Sequence, residues 1–167
     1  QEILDSHKDK TAIVVGDGVS WEFAQDIIEA FGKSDYELSK NYLFAGLPSE
    51  TEHNMSQLYV ATGEVLPTKK DREQYLTKSN ENKNIEFIDL ENVNETNDKA
   101  DYLICSYKDP DKLGETYQQK ALKYFDQVAS IFANKIKQLL QNGYKQVYLV
   151  TDHGFTLTGI LENSDKI

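Results

Sequence analysis

The chain has 167 residues, of which 39% are hydrophobic, enough to bury one sizeable core and too few for two, since domains cluster at roughly 100 to 200 residues. A formal net charge of −10 disfavours wrapping nucleic acid, because nonspecific binding there depends on Lys and Arg neutralising backbone phosphates. No run approaches the roughly 18 to 20 apolar residues of a membrane span, no signal-like segment opens the chain, and the single cysteine, Cys105, excludes an internal disulfide and a cysteine-built zinc site. A cytoplasmic protein with one domain over residues 1–167 is the expectation.

In chain order, Lys10-Thr-Ala-Ile-Val-Val-Gly16 is a short apolar run ended by glycine, the pattern of a strand buried on both faces. After the Asp17-Gly-Val-Ser20 turn, Ala24, Ile27, Ile28 and Phe31 fall at helical spacing, and Gly32 supplies a stop. Residues 42–45 form a second short strand candidate, broken by Gly46-Leu-Pro48. Ser49 as N-cap with Glu52 three residues later matches a capping box, and Met55, Leu58, Tyr59 and Thr62 continue one face of the helix it would open. The segment 67–84 is polar, with a short helix expected near 71–76. Residues 85–90 alternate like a half-buried edge strand, 91–99 read as a polar linker, and 100–107 return to a buried strand pattern. A long helix is expected over 115–141, where Ala121, Phe125, Val128, Phe132, Ile136 and Leu139 make one stripe ending at Asn142-Gly143. The run 146–151 is a last apolar strand. Strands alternating with helices predict an α/β fold, a mostly parallel central sheet flanked by helices, with ligand crevices beyond the carboxyl ends of the strands.

Four groups of residues at such ends could carry chemistry. Asp17 sits between Gly16 and Gly18 directly after a buried strand, where the carboxylate is pinned and the glycines let the backbone turn; its bland reading is a turn-former or helix cap. Thr51 falls in the first turn of a helix, where backbone N–H groups favour phosphate oxygens, or it simply belongs to a capping segment. Asp111 and Glu115, four apart, could share a divalent cation, although an acid near a helix N-terminus is welcome whatever its function. Asp152-His153-Gly154, just past a strand, sets a hard oxygen beside an imidazole nitrogen and is the strongest local signal. Of the other two histidines, His7 lies in a polar N-terminal tail and His53 on the exposed side of the Thr51 helix.

In this order, strand-Asp17, a helix-start Thr51, Asp111-x-x-x-Glu115 and strand-Asp152-His153-Gly154 resemble the metal framework of the alkaline phosphatase superfamily. Within it the detail is similar to the PglZ domain family. Val15-Gly-Asp-Gly-Val-Ser-Trp-Glu22 resembles its strand followed by Asp-x-x-Arg-aromatic-acid. Leu47-Pro-Ser-Glu-Thr51 resembles its nucleophile segment, and Val150-Thr-Asp-His-Gly-Phe155 its Asp-His-Gly-Phe motif. The resemblance spans residues 12–158. It implies an alkaline-phosphatase-like fold and a metal-dependent phosphohydrolase acting on phosphomonoesters or phosphodiesters through a phosphothreonine at Thr51. Asp17, Thr51, Asp152 and His153 would gather around one divalent metal, with Asp111 and Glu115 beginning the site of a second. Zinc is the first choice, with manganese or magnesium as alternatives. Three departures stand out. Ser20 occupies a position where many relatives carry Arg, Glu115 one where other branches carry His, and no His follows His153 although the superfamily pattern expects a further metal-binding one. On that reading the domain is incomplete at its C-terminus, and this chain alone is weak or inactive.

Other enzyme classes fit less well. A haloacid-dehalogenase-like site wants a second Asp where Val19 stands, and a Gly-Asp-Ser lipase wants Ser where Gly18 stands. The rival from a different class is a noncatalytic interaction module that retains the fold. PglZ-like domains occur in larger proteins of phage-defence systems and fused to receiver domains in signalling regulators. The expected partners are therefore a phosphorylated substrate and proteins of a defence or signalling complex, with no membrane.

Overall fold

In the computed structural model of the chain the described residues are 2–6, 10–34, 36–41, 50–60, 63–107 and 122–154. Strands β1 (Thr11–Gly16), β2 (Ile85–Asp89), β3 (Tyr102–Tyr107) and β4 (Gln146–Thr151) form a sheet of order β2-β3-β1-β4 in which every neighbouring pair is parallel. Helices α1 (Glu2–Ser6), α2 (Trp21–Phe31), α3 (Thr51–Tyr59), α4 (Lys69–Ser79) and α5 (Leu122–Gln141) flank it. This is the α/β architecture that the alternation of elements predicts.

The continuous apolar run of β1 reflects its place between β3 and β4, with all six residues buried. Successive side chains of a strand point to opposite faces. Ala12 and Val14 therefore join Leu103 and Cys105 under Phe23 and Ile27 of α2 and Phe125, Val128 and Phe132 of α5. Ile13 and Val15 join Ile104 on the other face, covered by Leu4 of α1, Met55 and Tyr59 of α3, and Leu76 of α4. The strand β2, whose residues are half-buried or exposed, lies at an edge, as its alternation predicts.

Ser20 caps α2 by accepting from the Phe23 amide, and Gly32, at φ 70°, closes it. Elsewhere the expectations need correction. The tail that reads as polar contains α1, held by burial of Leu4 and by Lys83 Nζ donating to the Leu4 carbonyl at 2.7 Å. The α4 helix runs well beyond 71–76, because the Thr68 hydroxyl caps it by accepting from the Asp71 amide. The N-cap position of α3 belongs to Glu50, with no side-chain cap bond, and not to Ser49, which lies outside the described residues. The strand and break expected at 42–48 also lie outside them, as does the expected helix before Leu122.

The inward side of the sheet is tightly sealed at Cys105, where burial pushes the thiol up to about 12. A soluble thiol reagent is therefore expected to leave the native protein unlabelled at about pH 8 and to react fully once denaturant unfolds it. Labelling of the native protein at the rate of a free thiol would show that the layer formed by α2 and α5 opens.

A candidate metal centre at the carboxyl edge of the sheet

The register of β1 and its neighbour β4 builds this site. Gly16 pairs with Thr151 at the ends of β1 and β4, so the residues that follow, Asp17 and Asp152, leave the sheet side by side. The Asp17 amide donates to the Tyr107 carbonyl at 3.0 Å, which holds the first turn against the end of β3. At Gly18 the backbone adopts φ 72°, a conformation that glycine takes without strain, and its amide approaches Asp152 Oδ1 at 3.4 Å. The Val19 amide donates to Thr151 Oγ1 at 3.1 Å, and that hydroxyl donates to the His153 carbonyl at 2.7 Å. The two strand-end turns are thereby tied into one rigid unit.

The glycine of Asp152-His153-Gly154 has a packing reason. A Cβ at Gly154 would stand 2.8 Å from Ser20 Cα, so the chain crosses the α2 cap only with no side chain there. At the centre lies His153 Nε2, 2.8 Å from Thr51 Oγ1, 3.3 Å from Asp152 Oδ2 and 3.7 Å from Asp17 Oδ1. With the ring proton on Nδ1, 3.4 Å from the Gly154 carbonyl, Nε2 presents a lone pair to the same space that the two carboxylates border.

Asp17, Asp152 and His153 each offer a ligand atom within 4.8 Å of the others, and this group could hold a metal ion. The donor chemistry fits one. Asp152 is 4% exposed, and its Oδ2 is buried without a hydrogen-bond partner. Burial raises the Asp152 pKa above the ordinary carboxylate value, an effect only partly opposed by His153 and by backbone donors including the Gly18 amide. A divalent cation between these oxygens and the imidazole would supply the missing countercharge.

Of the residues singled out in the sequence, the structure thus brings together Asp17, Thr51, Asp152 and His153. Asp111 and Glu115 lie outside the described residues, as does His7. His53 is elsewhere on α3, with its ring 2.8 Å from the Gln57 amide nitrogen. Sequence reasoning missed the contribution of α4. A cleft of about 300 Å³ beside the group is lined by Asp17 and Thr51 together with Thr68, Lys69 and Arg72 of the α4 start. The one available signal was that Arg72 is the single arginine of the chain. Neither a model of a known protein family nor a curated protein matches the chain.

Proposed function

We propose that the protein is a metal-dependent phosphohydrolase of the PglZ kind, cleaving phosphomonoesters or phosphodiesters with Thr51 as nucleophile. The observation that supports this reading best is the convergence of the Thr51 hydroxyl with Asp17, Asp152 and His153 at one sheet edge, where Thr51 and Asp17 also line a cleft. Asp17, Asp152 and His153 would hold the cation; Asp111 and Glu115 would begin a second site, as the family resemblance implies. Bound divalent ions, zinc first among them, supply Lewis acidity that makes the attacking hydroxyl more acidic and offsets charge on the phosphoryl oxygens.

The chain's own residues do the rest. Thr51 Oγ1 is held at the first turn of α3, whose N-terminal amides favour phosphoryl oxygens. As Oγ1 bonds to phosphorus it gives its proton to solvent and the bond from phosphorus to the ester oxygen breaks, that oxygen taking a proton from solvent to leave as the alcohol. Water then attacks the phosphothreonine, releasing phosphate, or a phosphomonoester from a diester, and restoring the Thr51 hydroxyl. In its setting the protein would act within a phage-defence or signalling complex.

The short contact between Thr51 Oγ1 and His153 Nε2 also favours a second reading, in which His153 is the general base for Thr51 and the carboxylates orient the ring without any metal. Hydrolysis of p-nitrophenyl phosphate and its bis-ester, with metal content measured on the same samples, separates these. Bound divalent metal and turnover that a chelator removes and zinc or manganese restores are the expected result. Turnover indifferent to chelation would select the metal-free pair. Absence of both metal and turnover under zinc, manganese and magnesium would leave the noncatalytic module.

A further inference from the structure

We infer that Arg72 is the anion-binding residue of this site and receives the phosphoryl group of the substrate; the identity of the anion rests on the hydrolase reading above. Arg72 is the chain's sole arginine, yet it is only 7% exposed and lines the cleft that Thr51 and Asp17 border. Its Nη1 donates to the carbonyls of Leu66 at 2.9 Å and Pro67 at 3.2 Å, which accounts for both hydrogens of that nitrogen and fixes the guanidinium plane. Nε–H and the two Nη2 hydrogens have no acceptor among the described residues, and no carboxylate there forms an ion pair with the group.

A cation so deeply placed is costly unless a countercharge meets it. The neighbouring Lys69 is differently placed, since its ammonium already lies 2.8 Å from Asp89 Oδ1 and 3.8 Å from Glu73 Oε1. That leaves Arg72 as the cation able to present a planar pair of donors, the geometry that matches phosphoryl oxygens. The first turns of α3 and α4 line the same cleft and add the positive ends of two helix dipoles. Of the cleft's carboxylates, Asp17 belongs to the metal group and Glu52 is solvent-exposed, so metal loading should tighten anion binding.

The single arginine gives a single Nε–H resonance, which makes the test direct. Inorganic phosphate is titrated into isotopically labelled protein at constant ionic strength, once with chelator and once with magnesium, with chloride as control. A saturable shift of the Arg72 Nε–H signal with phosphate and none with chloride is expected, tighter with magnesium. Arg72→Lys should weaken phosphate at least about tenfold, the effect of losing one charge-assisted hydrogen bond, while metal content stays unchanged. A resonance that does not move under either condition, or that moves equally with chloride, overturns the inference, and so does an unchanged phosphate affinity in Arg72→Lys. Should that variant fail to fold because its carbonyl anchors are lost, the wild-type titration decides alone. A protein that binds phosphate at Arg72 but never turns over an ester would refute only the hydrolase reading, and one that turns over with a still Nε–H signal would refute only the role of Arg72.

Discussion

Asp152→Asn is expected to make the metal-free protein more stable and to destroy its ability to be stabilised by metal. Asp152 is buried, its Oδ2 has no hydrogen-bond partner, and burial raises its pKa. The native state therefore keeps that proton to a higher pH than the unfolded chain. The favourable contribution is present below the ordinary carboxylate range and is lost as pH rises through the raised value, so above that range the buried acid is a net cost to the metal-free fold. Asparagine keeps an oxygen for the Gly18 amide and removes the charge, and relief of about 1 kcal/mol would raise Tm by roughly 2 to 4 °C for a domain of this size.

The same substitution removes a charged ligand from the three-donor group, so metal affinity should fall by more than the roughly 10- to 100-fold typical of losing an outer-shell partner. Melting curves with chelator and with zinc, on wild type and variant, give both effects at once. A wild type stabilised by zinc and a variant with a higher chelated Tm and no zinc response are the expected pattern. A variant that melts lower in chelator and still responds fully to zinc would remove Asp152 from the proposed centre. Stability traded for an unsatisfied buried acid is what a functional site looks like energetically.

Much of this was legible in the chain because burial on both faces leaves a plain mark. The apolar runs of β1 and β3 and the stripe of α5 are each dictated by a core they help to form; Asp17 stands at the end of such a run, and Asp152 at the end of the half-buried β4 beside it. The start of α4 was opaque for the opposite reason. In Lys69-Lys-Asp-Arg-Glu-Gln-Tyr-Leu76 the apolar residues come only at the end, so periodicity says little, and a capping hydroxyl at Thr68 decides where the helix begins. Arg72 looks in sequence like one more solvated charge. Its burial arises from carbonyls of the preceding segment and from the α3 side of the cleft, which no local pattern encodes. The α3 cap failed for a related reason: Ser49 and Glu52 have the spacing of a capping box, but helical geometry starts one residue later and Glu50 takes the N-cap position.

Thr51→Ala is expected to abolish turnover while leaving both the fold and the metal in place. The Thr51 hydroxyl caps nothing: α3 has no side-chain cap bond, and Oγ1 is engaged with His153 Nε2 instead. Alanine is also the better helix former, so a large loss of stability has no source at this position. Metal content should match wild type, because Asp17, Asp152 and His153 remain. The rate is another matter, since removing an attacking group costs on the order of 10⁵- to 10⁶-fold where the nucleophile forms a covalent intermediate. Thr51→Ser, which keeps the hydroxyl and loses only a methyl, should retain measurable turnover and still form the phosphoenzyme. Rapid-quench labelling with a phosphate-labelled substrate, run beside metal analysis, reads all three proteins: covalent phosphate in wild type and Thr51→Ser and none in Thr51→Ala would tie the intermediate to this oxygen. Near-normal turnover in Thr51→Ala would instead assign the 2.8 Å contact to positioning of His153 and send the search for the nucleophile elsewhere in the cleft.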